Sequence, residues 1–339
     1  MFNGKSVLIT GGTGSFGQHC VRRLLHDYEP KRVVIYSRDE LKQFDMRQQF
    51  ASKQMRYFIG DVRDRERLTL AMRDIDYVIH AAALKQVIAA EYNPMESIKT
   101  NVLGAENLIM AAIDANVQKV IALSTDKAVN PINLYGATKL AADKLFIAAN
   151  NITGKGPTLF SVVRYGNVLG SRGSVVPLFN QLIEQSSSRL PITDERMTRF
   201  WITLTHGTDF VLKCLQRMQG GELFIPKIPS IRVVDLAKAM APNLSLKYIG
   251  IRPGEKLHEM LCSRNDAHLT LEFFDHFMIK PTIKFNHIDI NYQKNALNEE
   301  GITVDSQFEY CSHTNHFFLT VDEIRQLIAS RDDMALVKR

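Results

Sequence analysis

Two hydrophobic patterns alternate through the first half of the chain. Short apolar runs occur at SVLIT (6–10), RVVIYS (32–37), MRYFIGD (55–61), YVIHAAA (77–83), KVIALST (119–125) and LFSVVRYGNV (159–168). Between them lie longer stretches with helical spacing. SFGQHCVRRLLHDY (15–28) places Phe16, Cys20, Leu24 and Leu25 on one side, and NVLGAENLIMAAIDA (101–115) and YGATKLAADKLFIAAN (135–150) follow the same period. Short apolar strands alternating with amphipathic helices predict a parallel sheet covered on both faces. The pattern loosens after Gly170. Segment 171–202 reads as irregular and rich in Ser, Arg and Thr, whereas a helix over 205–218 and a strand over 222–227 return to the sheet. A further helix is expected over 233–241. Beyond it Pro, Gly, Asn and His are frequent and the elements short. The expected fold is α/β: a doubly wound parallel sheet with a smaller C-terminal α/β lobe. The sheet domain is assigned to 1–170 plus about 203–227, and the lobe to 171–202 plus about 228–339.

Composition narrows the partners. The 339 residues suggest two domains at roughly 150 residues each. Apolar residues make up 45% and charged residues 23%, which fits a folded globular chain rather than a disordered one. The net charge of +6 comes from 42 basic and 36 acidic side chains spread along the chain, without a basic tail or an RNA-binding signature. An anionic small ligand fits this better than nucleic acid. Cys20, Cys214, Cys262 and Cys311 lie far apart, so neither a disulfide framework nor a zinc site is expected. His206 and His258 show no metal-ligand spacing. The start MFNGKSVLITGG lacks a signal-peptide layout, and no apolar run reaches the ~20 residues that span a bilayer. A cytoplasmic protein with no membrane segment is expected.

The first strand ends in ITGGTGSFG, which puts Gly11, Gly14 and Gly17 between strand and helix. Glycine there lets the backbone turn tightly against a pyrophosphate, and the helix N-terminus offers unpaired N–H groups to the anion. The tip of the second strand, YSRDELKQ, carries Ser37, Arg38 and Lys42, while Asp39 is displaced from the strand end. A cationic tip suits a 2′-phosphate, so NADP is the expected cofactor. Asp61 and Val62 are candidates for the adenine, Ala81 to Ala83 for a small-residue floor, and Lys85 for reaching cofactor or substrate.

The stretch STDKAVNPINLYGATK (124–139) gathers several proton-handling groups. If YGATK is helical, Tyr135 and Lys139 share a face. A phenol has a pKa near ~10, and a neighbouring ammonium lowers it, so a tyrosinate can take a proton from a substrate hydroxyl. Met197 and Phe200 fit either packing beside a bound base or filling core, with core slightly favoured.

TGGTGSFG, HAAALK, NVLGAENL, STDKA and YGATK together resemble the extended short-chain dehydrogenase/reductase family, whose fold is the Rossmann type. NVLGSRGSVVP (167–177), PITDERMTRFW (191–201) and GIRPGEKLHE (250–259) narrow the likeness to the inverting UDP-N-acetylglucosamine 4,6-dehydratases, which open pseudaminic acid synthesis. The likeness covers the chain from the N-terminus to about residue 285, and more loosely TVDEIRQLI. It implies that Thr125 hydrogen-bonds the reacting sugar oxygen. Related dehydratases place Asp-Glu after the threonine; Asp126-Lys127 here implies that Asp126 protonates the departing C6 hydroxyl and Lys127 removes H5, for which its pKa must be depressed. Tyr135, assisted by Lys139, would deprotonate the C4 hydroxyl, with hydride passing to NADP⁺ and back to C6 and a proton returning to the opposite face of C5. The resemblance adds Thr13, Ser15, Phe16, Asn101 and Val168 to the cofactor set. For UDP-N-acetylglucosamine it implies Lys85, Asn167, the loop Arg172, Gly173, Ser174, Val175 and Val176, then Thr193, Arg199, Arg252 and Glu255. The resemblance also implies a homo-oligomer, and by analogy a hexamer. A 4-epimerase of the same fold would have no use for Asp126-Lys127, and a non-catalytic NADP-binding scaffold could dispense with the triad.

Overall fold

The computed structural model describes residues 1–154, 156–171, 173–283 and 290–330. Strands β1 (Ser6–Thr10), β2 (Arg32–Ser37), β3 (Met55–Ile59), β4 (Tyr77–His80), β5 (Lys119–Thr125) and β6 (Leu159–Tyr165) pair in parallel. Helices α1 (Ser15–Asp27), α2 (Glu40–Gln49), α3 (Arg65–Ala71), α4 (Val87–Tyr92), α5 (Pro94–Ile98), α6 (Gly104–Asp114) and α7 (Leu134–Ala149) lie between them. Every residue of β1 and of β4 is buried, as strands covered on both faces require. The expected alternation is therefore the observed fold: a Rossmann-type doubly wound α/β sheet.

The second half supplies β7 (Asn167–Val168), β8 (Arg189–Ile192), β9 (Thr198–Ile202), β10 (Leu223–Pro226), β11 (Ser230–Arg232), β12 (Ser245–Tyr248), β13 (Met260–Cys262), β14 (Thr270–Glu272), β15 (His276–Ile279), β16 (Ile302–Thr303) and β17 (Tyr310–Cys311). Its helices are α8 (Val175–Glu184), α9 (Leu204–Arg217), α10 (Val233–Met240) and α11 (Val321–Ala329). The large sheet runs β16-β14-β15-β10-β6-β5-β4-β1-β2-β3. Its strand order reverses between β1 and β4, and in such sheets ligands bind in the crevice at the C-terminal strand ends there.

Several local expectations shift. The run 77–83 leaves the sheet after His80, because Ala81 and Ala82 must pass under the Gly11 turn. The helix expected from 101 opens as a π-helical turn over Lys99–Leu103, and regular α-helix begins at Gly104. The run 159–168 divides at Gly166, where β7 departs to pair with β9. Segment 171–202, expected to be irregular, contains α8, β8 and β9. The segment from 228, assigned to the lobe, also returns to the large sheet: β15 pairs antiparallel with β10, and β14 and β16 follow. These strands cover the open edge of β10, which would otherwise leave unpaired backbone groups.

Two apolar clusters result. One packs the helices against the large sheet. The other joins Val176 and Phe179 of α8, Leu190 and Ile192 of β8, Trp201 of β9, Leu236 of α10 and Ile324 of α11. A cleft of about 1170 Å³ lies between the C-terminal strand ends and this second cluster.

Candidate active site

The glycine turn forms one end of the cleft. Gly11 has φ +63°, and a side chain there would bring Cβ within 2.9 Å of Ala82 Cα. Gly14 is the N-cap of α1, where no side chain caps the helix and the first turn holds no acid. The N–H groups of this 13-residue helix therefore face the cleft uncommitted to side-chain acceptors, the arrangement that holds a pyrophosphate. Thr13 Oγ1 lies 3.0 Å from Ser37 Oγ and ties the turn to the tip of β2.

At that tip Asp39 turns away from the strand to cap α2, accepting from the Lys42 backbone N–H at 3.0 Å, and the Lys42 ammonium folds onto the same carboxylate. Lys42 is thus already paired. Arg38 Nη1 lies 3.4 Å from Asp61 Oδ2, and Asp61 also accepts from Arg63 at 2.7 and 2.9 Å. Burial alone would raise Asp61, but Arg63 and Arg38 outweigh it and hold the carboxyl below its usual range. Arg63, which also reaches Glu96 at 2.7 Å, has no motif around it and was not foreseen.

The centre of the cleft lies where β5 ends. Thr125 closes the strand and accepts from the Lys127 backbone N–H at 3.3 Å, starting a 3₁₀ turn over Asp126–Ala128. The side chains of Asp126 and Lys127 are thereby brought beside α7. Thr125 Oγ1 donates to Asp126 Oδ1 at 2.9 Å, and Lys127 Nζ donates to the same oxygen at 3.1 Å. Asp126 Oδ2 is buried with no partner among the described residues. Tyr135 and Lys139 are both buried on one face of α7, whose N-cap is Asn133. Asn133 Oδ1 accepts from Gly136 N–H at 2.7 Å, and its amide donates to Gly254 O at 2.7 Å.

The charges differ from the sequence expectation in two respects. Lys139 Nζ donates to Leu123 O at 2.6 Å, and burial lowers its pKa. Burial pushes Tyr135 up to about 12, and the groups drawing it back down are the Lys127 charge and a hydrogen bond with Thr125. Lys127, expected to be depressed, is raised instead. Burial would lower it, but Asp126 and Glu259 overcome that effect: Nζ is 3.0 Å from Glu259 Oε1.

Glu259 is the principal residue that motif reading did not single out. It stands at the end of GIRPGEKLHE, is 1% exposed, and lines the cleft. The remaining signal was only an acid at the end of a quoted motif.

The opposite wall fits a second anion. Ser174 caps α8 without a side-chain bond to it, and the first turn holds no acid. Ser174 Oγ and Asn167 Oδ1 are buried without hydrogen-bond partners among the described residues, and both residues line the cleft beside Gly173 and Val175. Uncapped N–H groups with two unspent polar atoms suit a diphosphate. Arg199, by contrast, is mostly spent. Its guanidinium donates to the carbonyls of Thr198, Lys256 and Leu257 at 2.7 to 3.1 Å, with Glu259 4.0 Å from Nε. Arg252 forms a two-pronged pair with Glu255 at 3.0 and 2.6 Å at the cleft mouth.

The cleft brings together Thr125, Asp126, Lys127, Tyr135 and Lys139 with the turn Gly11, Thr13, Gly14, Ser15, Phe16 and Gly17. Ser37, Arg38, Lys42, Asp61, Val62, Ala81 and Lys85 also line it, as do Asn167, Val168, Gly173, Ser174, Val175, Thr193, Arg199, Arg252 and Glu255. Asn101 stands behind the wall, where it accepts from Leu84 N–H at 2.8 Å and donates to Leu84 O and Thr138. Val176 packs in the lobe core because α8 turns that side inward. Arg172 lies outside the described residues. Met197 and Phe200 are buried in the two clusters, and Met197 also lines the cleft. His258 meets Thr198 Oγ1 at 2.8 Å and stacks on His313. Among the described residues no cluster of His, Cys, Asp and Glu is placed to hold a metal, and no helix is long and apolar enough to cross a membrane.

The family described as polysaccharide biosynthesis protein matches residues 7–281. A protein of Campylobacter jejuni subsp. jejuni serotype O:23/36, named UDP-N-acetylglucosamine 4,6-dehydratase (inverting), is 60% identical over 97% of this chain and 98% of its own. A Rickettsia akari protein named UDP-glucose 4-epimerase is 42% identical over 98% of this chain and 97% of its own. The solved structure of Pen from Bacillus thuringiensis superposes with a TM-score of 0.87 at 38% identity, covering 97% of this chain and 98% of that one.

Proposed function

The chain belongs to the polysaccharide biosynthesis protein family, and from that membership and the cleft we propose that it is a lyase, an inverting UDP-N-acetylglucosamine 4,6-dehydratase. It converts UDP-N-acetyl-α-D-glucosamine to UDP-2-acetamido-2,6-dideoxy-β-L-arabino-hex-4-ulose and water. The observation that carries this reading is the Thr125-Asp126-Lys127 turn packed beside Tyr135, because a ketone-forming base and an elimination pair are needed at one sugar.

A nicotinamide dinucleotide fits the glycine turn, where a side chain on Gly11 would close the space and the α1 N-terminus is uncapped. When bound there, the cofactor would supply a reversible hydride acceptor for C4 and C6 of the sugar. Tyr135 accepts the C4 hydroxyl proton with Thr125 directing the oxygen, and the Lys127 charge favours the phenolate. The ketone acidifies H5, which Lys127 removes. Asp126, carrying a proton, donates it to the leaving C6 hydroxyl. The α8 N-terminus, Ser174 and Asn167 hold the diphosphate, with Arg252 at the mouth. NADP rather than NAD is supported by Arg38 and Ser37 at the β2 tip, with Asp39 withdrawn to cap α2. The segments 171–202 and about 228–339 act as the UDP-sugar lobe. The buried thiols of Cys20, Cys214 and Cys262 support a reducing cytoplasm. The exposed Ile88, Tyr92 and Met95 of α4 and α5 support a homo-oligomer. A hexamer and a place at the opening of pseudaminic acid synthesis rest on the family likeness.

A 4-epimerase would use the same cofactor end and Tyr135, as the name of the Rickettsia relative suggests, but would leave Asp126 and Lys127 idle. A proton NMR time course with UDP-N-acetylglucosamine in heavy water separates the two. The dehydratase gives a C6 methyl, solvent deuterium at C5 and inverted C5. Formation of UDP-N-acetylgalactosamine alone would refute the reading.

A further inference from the structure

Lys127 must be an uncharged amine when it removes H5, yet its surroundings stabilise the ammonium. Its Nζ sits between Asp126 Oδ1 at 3.1 Å and Glu259 Oε1 at 3.0 Å. The other ionisable groups around this pair are Tyr135 on α7, Arg199 on β9, Lys256 on the preceding loop and Cys311 on β17. A proton lost to bulk solvent would leave the buried Glu259 carboxylate without the Lys127 cation beside it, which burial disfavours. A proton passed within the pair leaves no charge unpaired.

Of the two neighbouring acids, Glu259 is the one that suits this transfer. Asp126 Oδ1 already accepts a second hydrogen bond, from Thr125 at 2.9 Å, and its chemistry is directed to C6. Glu259 Oε1 lies 3.0 Å from Lys127 Nζ and 4.0 Å from Arg199 Nε, and its Oε2 is buried without a hydrogen-bond partner among the described residues. Its backbone is clamped. Ser312 Oγ accepts from Glu259 N–H at 3.0 Å, Ser312 N–H donates to Glu259 O at 2.8 Å, and Thr198 braces Ser312 at 2.7 Å. A rigid backbone holds the side chain in register with Lys127.

We propose that Glu259 is a positioning residue that stores the Lys127 proton during elimination. This rests on the dehydratase reading. An N–H bond of the ammonium breaks and an O–H bond forms on Glu259, so the ion pair becomes amine and carboxylic acid with no change in net charge. The amine then takes H5; the C–H electron pair enters the C4–C5 enolate and Lys127 is an ammonium again. Glu259 releases its proton to solvent as a solvent proton is added at C5, and the pair ends as it began.

The test compares wild type, E259Q and E259D with UDP-N-acetylglucosamine in heavy water across pH. It reads reduced nicotinamide formed on the enzyme, deuterium at C5 and 6-deoxy product. E259Q keeps the hydrogen bond to Lys127 but cannot store a proton. It is expected to reduce the nicotinamide at close to the wild-type rate while C5 exchange and product fall together by roughly 100-fold, the scale of general-base catalysis. The residual rate should rise with pH, since Lys127 must then lose its proton to solvent, and E259D should recover part of the loss. Unchanged C5 exchange in E259Q would overturn the proposal. So would a parallel loss of nicotinamide reduction and exchange, which marks a collapsed site. Wild type that makes only UDP-N-acetylgalactosamine would instead remove the dehydratase reading on which the proposal rests.

Discussion

At the scale of single residues, the arrangement separates two chemical steps. In the proposed mechanism Tyr135 and Thr125 address C4, while Asp126 and Lys127 address C5 and C6, all within one turn and the helix beside it. K127A should therefore stop elimination while leaving C4 oxidation detectable but slowed, because the charge that favours the Tyr135 phenolate is lost. Product formation is expected to fall by roughly 100-fold or more, with reduced nicotinamide still appearing on the enzyme, as followed by absorbance and NMR. Arg38 is held only loosely by Asp61, at 3.4 Å, so a 2′-phosphate can recruit it. Removing a charge-assisted hydrogen bond costs about 1.5–3 kcal/mol, so R38A should weaken NADP binding by roughly tenfold or more. NAD binding, measured in the same titrations, should change little. Gly11, Tyr135, Asp126 and Lys127 were legible from the sequence because each belongs to a short motif. Glu259 was not, because its meaning comes from a lysine far away in the chain.

At the scale of elements, the N-terminus of α7 joins the proposed catalytic residues to the proposed substrate loop. Asn133 caps the helix through Oδ1 and holds Gly254 through Nδ2, so one side chain sets both Tyr135 and the Arg252–Glu255 loop. Loss of an Asn cap costs about 1 kcal/mol. N133A should lower thermal stability by that amount and raise KM for the UDP-sugar more than it lowers kcat, as read by thermal unfolding and steady-state kinetics. The helix itself was predictable from its period and its start. The link to Gly254 was not, since no local pattern says which loop will lie above a helix end. Segment 171–202 hid its helix for a related reason. The apolar face of α8 packs on the lobe rather than on the large sheet, and its short flanking strands carry too few residues to show a period.

At the scale of the whole molecule, the C-terminal edge of the sheet is tied down by a buried cation. The Arg217 side chain is 0% exposed at the end of α9 and bonds Asp275 before β15 at 2.7 Å and Glu299 at 2.6 Å. Burial would raise Glu299, but hydrogen bonds from Arg217, Asn295 and Lys213 bring it down from 4.5 to about 2. A depressed folded pKa contributes stability that is present above the unfolded value and lost as pH falls through the folded one. The gap in denaturation midpoint between wild type and E299Q should therefore be widest above pH 4.5 and close towards pH 2, as followed by urea titration over pH. A constant gap would mean that Glu299 acts by packing alone.

The sequence by itself determined the alternation of β1 to β6 with their helices, the glycine turn before α1 and the Thr-Asp-Lys and Tyr-x-x-x-Lys sets, because each is set by neighbours a few residues apart. Only the tertiary structure decided that Glu259 would stand against Lys127 and raise its proton affinity, that Asp39 would take Lys42 for itself, and that β14 to β16 would close the sheet edge. Those outcomes depend on which distant groups burial forces together. Electrostatic and packing energies follow distance in space, and a local sequence pattern does not carry that distance.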